Sequence, residues 1–162
     1  MKLSIYIDGA SRGNPGPASV GVVLQDASGR PVKEYHRYIG ETTNNVAEYT
    51  AMLDALRLAG EMKADEITVH SDSQLLVRQL SGEYRVKNER LFKYMLQIRN
   101  LRKQFKTVEV VHISREQNKR ADRLANDALD AVKKSPVFRP GKLDGAAPDV
   151  IRRFEVSREL LK

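Results

Sequence analysis

Four carboxylates stand in four separate local settings: Asp8 after LSIYI, Glu48 within TTNNVAEYTA, Asp72 within ITVHSDSQ and Asp122 within REQNKRADRLAN. Gathered in space they would form a dense set of anionic oxygens, the donor type that hard divalent cations take. That chemistry suits hydrolysis of a phosphodiester, because a metal resolves the repulsion between carboxylates and an anionic substrate. Each residue also has an ordinary explanation. Asp8 could serve a turn with the Gly and Pro residues that follow it. Glu48 could be a solvated glutamate that the dipole favours near a helix start. One of Ser71, Asp72 and Ser73 is needed as a helix N-cap, and Asp122 could pair with Lys119 three residues earlier. Against the turn reading, residues 3–7 form a strand-like run, and an aspartate ending such a run is costly to bury without a partner or a metal.

The elements that would position these groups follow from periodicity. Residues 3–8, 18–25 and 32–39 read as strands, the last two joined by a turn over residues 26–31 with Ser28, Gly29 and Pro31. Short links between successive strands imply an antiparallel meander. An amphipathic helix is expected over 44–60, with Val46, Tyr49, Met52, Leu53, Leu56 and Leu58 largely on one side and Gly60 near its end. A strand at 66–70, a helix from about 73, a second helix to about 104, a strand at 107–113 and a helix over 118–133 complete the pattern. Strands separated by helices imply parallel crossovers. The expected fold is α/β, a mixed five-stranded sheet of three antiparallel strands followed by parallel crossovers, flanked by helices. Ligand sites in such sheets gather at strand ends and neighbouring helix starts.

Taken together, the motifs Asp8-Gly9-Ala10-Ser11-Arg12-Gly13-Asn14-Pro15-Gly16, Thr42-Thr43-Asn44-Asn45 with Glu48, Ser71-Asp72-Ser73-Gln74, and Asn118 with Ala121-Asp122-Leu124-Ala125 resemble the type 1 ribonuclease H family over residues 1–132. The resemblance implies a ribonuclease H-like fold and an Mg²⁺-dependent endoribonuclease that hydrolyses the RNA strand of RNA/DNA hybrids, leaving 5′-phosphate and 3′-hydroxyl ends. It carries Asp8, Glu48, Asp72 and Asp122 over as catalytic metal ligands. Two Mg²⁺ ions about 4 Å apart, with Mn²⁺ as a substitute, would be bridged by Asp8; Glu48 and Asp72 would hold the ion on the leaving-group side, and Asp122 the ion that activates water. Gly9, Ser11, Arg12, Gly13, Asn14, Thr43, Asn44, Asn45, Ser73, Gln74 and Asn118 carry over as nucleic-acid contacts. Glu48 would also accept from a ribose 2′-OH, the group that tells RNA from DNA.

This chain departs from the family pattern in two places. The family's flexible loop with a His-x-Gly element precedes the last aspartate, whereas here the stretch is Val111-His112-Ile113-Ser114-Arg115-Glu116-Gln117-Asn118. A shortened loop is expected, with Arg115 or Glu116 nearest the site and His112 a structural residue of the strand. The connection between Leu80 and Leu91 is too short for the family's full basic, Trp-containing protrusion, and the chain has no Trp. Substrate grip then falls to other basic residues, and no separate hybrid-binding domain is expected before Met1.

Composition narrows the partners. The 162-residue chain has 28 Lys and Arg against 21 Asp and Glu, a formal net charge of +7 that suits a polyanion. The basic charge lies in residues 83–106, with eight Lys or Arg against Glu83 and Glu89, and in residues 131–162; the part that holds the four carboxylates is net acidic. Absence of Cys excludes disulfides and thiolate zinc sites and fits a reducing cytoplasm. No apolar run is long enough to span a bilayer. A cytoplasmic monomer without membrane contact is expected, acting on RNA/DNA hybrids, with double-stranded RNA left open as a second substrate. Residues 1–132 read as the ribonuclease H domain, and 133–162, with three of the six prolines, as a basic extension made of a linker and a short helix. Two other classes compete: a DNA-processing nuclease on the same fold, which the ribose-suited Asn14, Asn44 and Asn45 disfavour, and a metal-free binding module, which four mutually repelling carboxylates disfavour.

Overall fold

The structure, a computed structural model, describes residues 1–133. Apart from Lys133, the expected basic extension and its short helix lie outside the described residues.

Strand β1 (Lys2–Ser11) shows the period of two that fixes sheet faces: Leu3, Ile5 and Ile7 point into the core, while Ser4 and Tyr6 alternate to the other face. It pairs antiparallel with β2 (Gly16–Gln25), which pairs antiparallel with β3 (Pro31–Thr42). On its other side β1 pairs parallel with β4 (Glu66–Ser71), and β4 with the edge strand β5 (Thr107–His112). The resulting order is β3-β2-β1-β4-β5, a mixed sheet of three antiparallel strands followed by parallel crossovers, as expected.

Helix α1 (Asn44–Glu61) lies on one face over Ile5, Ile7, Val22 and Val69, and α3 (Glu89–Arg102) packs onto α1 through Leu91, Met95 and Ile98. The short α2 (Gln74–Leu80) follows β4. The other face carries α4 (Lys119–Lys133), which packs against β2 with Ala121 and Leu124 around Val23. Among the described residues no helix is long and apolar enough to cross a membrane.

Three differences from the sequence reading have physical causes. β1 runs past Asp8, because the ladder to Val20, Ser19 and Ala18 needs only backbone groups, so Asp8 sits inside a strand rather than at its end. α1 is buried nearly all round, since Ala47, Ala51, Ala55 and Ala59 let it sink between the sheet and α3. Gly60 stands near the end of α1, as expected, but is not the residue at which the chain turns away. The left-handed residue is Lys63, at φ 59°, with the Ala64 N–H donating to Ala59 O at 3.1 Å, while a Cβ on Gly60 would lie 2.7 Å from the Gln104 amide oxygen.

Candidate active site

Asp8 is paired in register with Gly21 of β2, and two missing Cβ atoms let a helix approach it from each side of the sheet. A Cβ on Gly9 would come within 2.3 Å of the Ala47 carbonyl carbon in α1; one on Gly21 would come within 2.2 Å of Ala121 O in α4. The same close approach gives the Gly9 N–H a 2.6 Å bond to Glu48 Oε1. Gly9 lines the cleft, and its missing Cβ is what lets α1 come this close. Glu48 itself sits in the second turn of α1, which Thr43 caps by accepting from the Val46 N–H at 3.2 Å.

Asp72 follows the last residue of β4. Of the three candidates for the α2 N-cap, Ser73 takes the role, accepting from the Leu76 N–H at 3.2 Å, while Ser71 Oγ accepts from the Ser73 N–H at 3.0 Å. Asp72 is thereby left free of capping and is oriented by Asn118, whose Nδ2 donates to Asp72 Oδ2 at 3.2 Å and to Ile7 O at 2.8 Å. Asn118 is 1% exposed, which corrects its expected role as a nucleic-acid contact: it ties β1 and Asp72 together. Asp122 lies exposed in the first turn of α4, near enough to Asp8 to help raise that residue's pKa.

Oxygens of Asp8, Glu48 and Asp72 all lie within 4.8 Å of one another, and Asp122 joins them in lining an open cleft of about 390 Å³. Burial pushes the Asp8 carboxyl far above its ordinary range, and the charges of Glu48 and Asp72 push the same way. Burial also raises Glu48, against the opposing Gly9 N–H. Such a set is strained as bare anions and fits a divalent cation: Glu48 Oε2 is buried without a hydrogen-bond partner, and the donors are all oxygen.

Of the other expected residues, Ser11, Asn44, Ser73 and Arg115 line the cleft with Gly9. Asn14 is exposed and holds the start of α1 through Oδ1, which accepts from the Asn44 N–H at 3.0 Å. Gly13, Asn45 and Gln74 are exposed and outside the lining. Arg12 reaches α4 instead, donating to Asp130 at 2.7 Å and Asn126 at 3.2 Å. Glu116 is exposed away from the lining. The link from β5 to the 3-10 turn Arg115–Asn118 is only Ile113 and Ser114, a short loop. His112 is the last residue of edge strand β5, exposed there and outside the cleft lining. Asn126 was missed. It lines the cleft and donates to Asp122 O at 3.0 Å, and its only signal is its place one helical turn after Asp122.

A family model described as reverse transcriptase-like matches residues 6–128. The chain is 44% identical over 136 residues to the bifunctional protein Rv2228c of Mycobacterium tuberculosis, covering 83% of this chain but only 37% of that protein. It is 43% identical over 129 residues to ribonuclease HI of Halobacterium salinarum, covering 80% of this chain and 65% of the relative. The crystal structure of the Halobacterium salinarum RNase H1 superposes with a TM-score of 0.79 at 43% identity, covering 81% of this chain and 99% of that one. LC11-RNase H1 in complex with an RNA/DNA hybrid gives 0.77 at 43% identity, covering 82% and 99%. By the family model over residues 6–128, the identity to ribonuclease HI and the superposition on the RNase H1 structure, the chain belongs to the type 1 ribonuclease H family.

Proposed function

We propose that this protein is an endoribonuclease that hydrolyses the RNA strand of RNA/DNA hybrids, leaving 5′-phosphate and 3′-hydroxyl ends, and that it acts as a cytoplasmic monomer. The observation that carries the reading is the triad of oxygens within 4.8 Å on Asp8, Glu48 and Asp72, with Asp122 reaching Asp8 from α4. The similar ribonuclease HI and the hybrid bound to LC11-RNase H1 support the substrate class.

Asp8, Glu48, Asp72 and Asp122 would hold Mg²⁺, with Mn²⁺ as substitute. Bound divalent ions supply a hydroxide nucleophile and neutralise charge on the scissile phosphate and leaving oxygen. The protein's part is placement. Asn118 fixes Asp72, the Gly9 N–H fixes one Glu48 oxygen and leaves the other for a metal or a ribose 2′-OH, and Asn126 braces the first turn of α4. Arg115, the cation among the described residues that line the cleft, is assigned to the substrate phosphate. Asn14, Asn44, Asn45, Ser73 and Gln74 are assigned to the hybrid's strands.

Purified protein assayed on labelled RNA/DNA, RNA/RNA and DNA/DNA duplexes, with and without Mg²⁺, tests the reading. Cleavage of the hybrid's RNA strand only with metal is expected; cleavage that is metal-independent, or confined to DNA/DNA, overturns it.

A further inference from the structure

The fourth carboxylate is held differently from the other three. Asp8 lies within β1, Glu48 takes the Gly9 N–H and Asp72 takes the Asn118 amide, whereas Asp122 stands exposed in the first turn of α4. Asn126, one helical turn on, steadies it: its Nδ2 donates to Asp122 O at 3.0 Å and to Asp122 Oδ1 at 3.4 Å. Asn is an unfavourable residue inside a helix, because its side chain competes with the backbone for nearby polar groups. Its place in α4 therefore needs a reason other than helix formation.

The orientation of the Asn126 amide is set from outside the helix. Arg12 Nη2 donates to Asn126 Oδ1 at 3.2 Å and to Asp130 Oδ1 at 2.7 Å. A guanidinium carries donors only, so the amide must turn its oxygen to Arg12 and its NH2 to Asp122. Without Arg12 the amide is free to flip and present its oxygen to a carboxylate it would repel. Stability does not account for the link: the Arg12 and Asp130 side chains are 39% and 50% exposed, and exposed pairs add little to folding. Arg12 is also a fixed post rather than a loose arm. It begins the turn between β1 and β2, and that turn is anchored to the other side of the cleft, where Asn14 Oδ1 accepts from the Asn44 N–H at 3.0 Å and Ser11 Oγ donates to Thr42 O at 3.0 Å.

We infer that Arg12 and Asn126 are positioning residues for the reaction: Arg12, held by its turn, orients the Asn126 amide, and the amide holds the Asp122 carboxylate toward the cleft. The inference rests on the proposed function for the hybrid substrate and for the metal that Asp122 would hold. It gives Arg12 a role in place of the nucleic-acid contact expected from the sequence, since its guanidinium is turned to α4. The physical basis is preorganisation: a ligand on an exposed helical turn loses geometry unless a neighbouring hydrogen bond fixes its rotamer.

The test compares wild type with Arg12→Met, Arg12→Lys, Asn126→Ala and the double variant Arg12→Met/Asn126→Ala. Single-turnover cleavage at saturating hybrid is measured with Mg²⁺, and hybrid affinity across salt is measured with each change placed in the Asp72→Asn background. Thermal melts and the Asn126 side-chain amide resonances in NMR are followed without metal. Arg12→Met and Asn126→Ala should each slow cleavage by about tenfold, the lower end for loss of a group that orients a metal ligand. The double variant should be no slower than either, because both changes break one link. Arg12→Lys, which keeps a donor, should recover most of the rate. Melts should not fall, hybrid affinity and its salt slope should match the parent's, and the amide resonances should be displaced in Arg12→Met. A full rate in Arg12→Met at saturating hybrid, with weaker binding and a salt slope shallower by about one, would make Arg12 a phosphate contact and overturn the inference while leaving the proposed function intact. So would rate losses that multiply in the double variant. If wild type cleaves no hybrid, the proposed function fails and the amide resonances alone decide the link: displaced in Arg12→Met it stands, unmoved it falls.

Discussion

Asp8 is the residue on which the site turns, because it is reached by Glu48 from α1, by Asp122 from α4 and by the charge of Asp72 from the β4 end. Asp8→Asn or Asp72→Asn should abolish cleavage, by about 10³-fold or more for the several kcal/mol that metal stabilisation supplies. Hybrid binding should persist, since each change also removes a charge that repels phosphate; parallel loss of binding and cleavage would contradict the metal-site assignment. Asn118→Ala should lower activity by about 10- to 100-fold, the usual cost of removing a group that orients a ligand, and shift the Mg²⁺ titration to higher concentration. His112→Ala, by contrast, should leave both single-turnover cleavage and the melt nearly unchanged. The raised pKa values of Asp8 and Glu48 also set a pH dependence. The folded, metal-free protein binds more protons there than the unfolded chain, so its stability falls as pH rises between about pH 5 and pH 8. In chelator, wild-type melting temperature should drop across that window, Asp8→Asn should flatten the drop, and Mg²⁺ should protect more at the upper end. A steeper drop in Asp8→Asn than in wild type would contradict the assignment.

At the scale of elements, the site depends on how deeply α1 and α4 sit against the sheet. Gly9 and Gly21 face backbone atoms that no side-chain rotation can move aside, so Gly9→Ala or Gly21→Ala should force a helix outward. Overpacking of this kind costs about 1–3 kcal/mol, read as a lower melting temperature, and activity should fall further than stability because Glu48 or Asp122 moves away from Asp8. A Gly21→Ala protein with wild-type melt and turnover would sink this account. Arg12 belongs to the same scale: its bonds to Asn126 and Asp130 clamp the turn between β1 and β2 onto α4. The bidentate pair of Arg120 with Glu34, both contacts at 2.5 Å, ties the start of α4 to β3.

Across the whole molecule, the described residues enclose their own core. Ala128, Leu129 and Val132 of α4 are buried, so the last helix completes one face of the sheet. Truncation after Val132 should leave a cooperatively folding protein with Mg²⁺-dependent cleavage, measured by denaturant titration beside a hybrid assay; a chain that cannot fold would place the extension within the core. If the extension's basic residues touch phosphate, the same truncation should weaken binding for all duplex sequences and shallow its salt dependence.

The succession of strands and helices and the four candidate carboxylates were legible in the chain because they follow from local signals: period-two runs, capping residues and motifs of fixed spacing. Tertiary structure decided what depends on contacts between distant segments. Nothing local distinguishes Gly21 from any strand glycine until Ala121, 100 residues later, packs on it. Asn118 looked like a surface polar residue of a basic segment until the fold closed it over Ile7 and Asp72. His112 read as a strand residue and it ends β5, but its exposure depends on β5 being the edge of the sheet, which the topology decides. Sequence thus determined which groups could do the chemistry. The approach of two helices to one aspartate, through two missing Cβ atoms, decided that those groups meet.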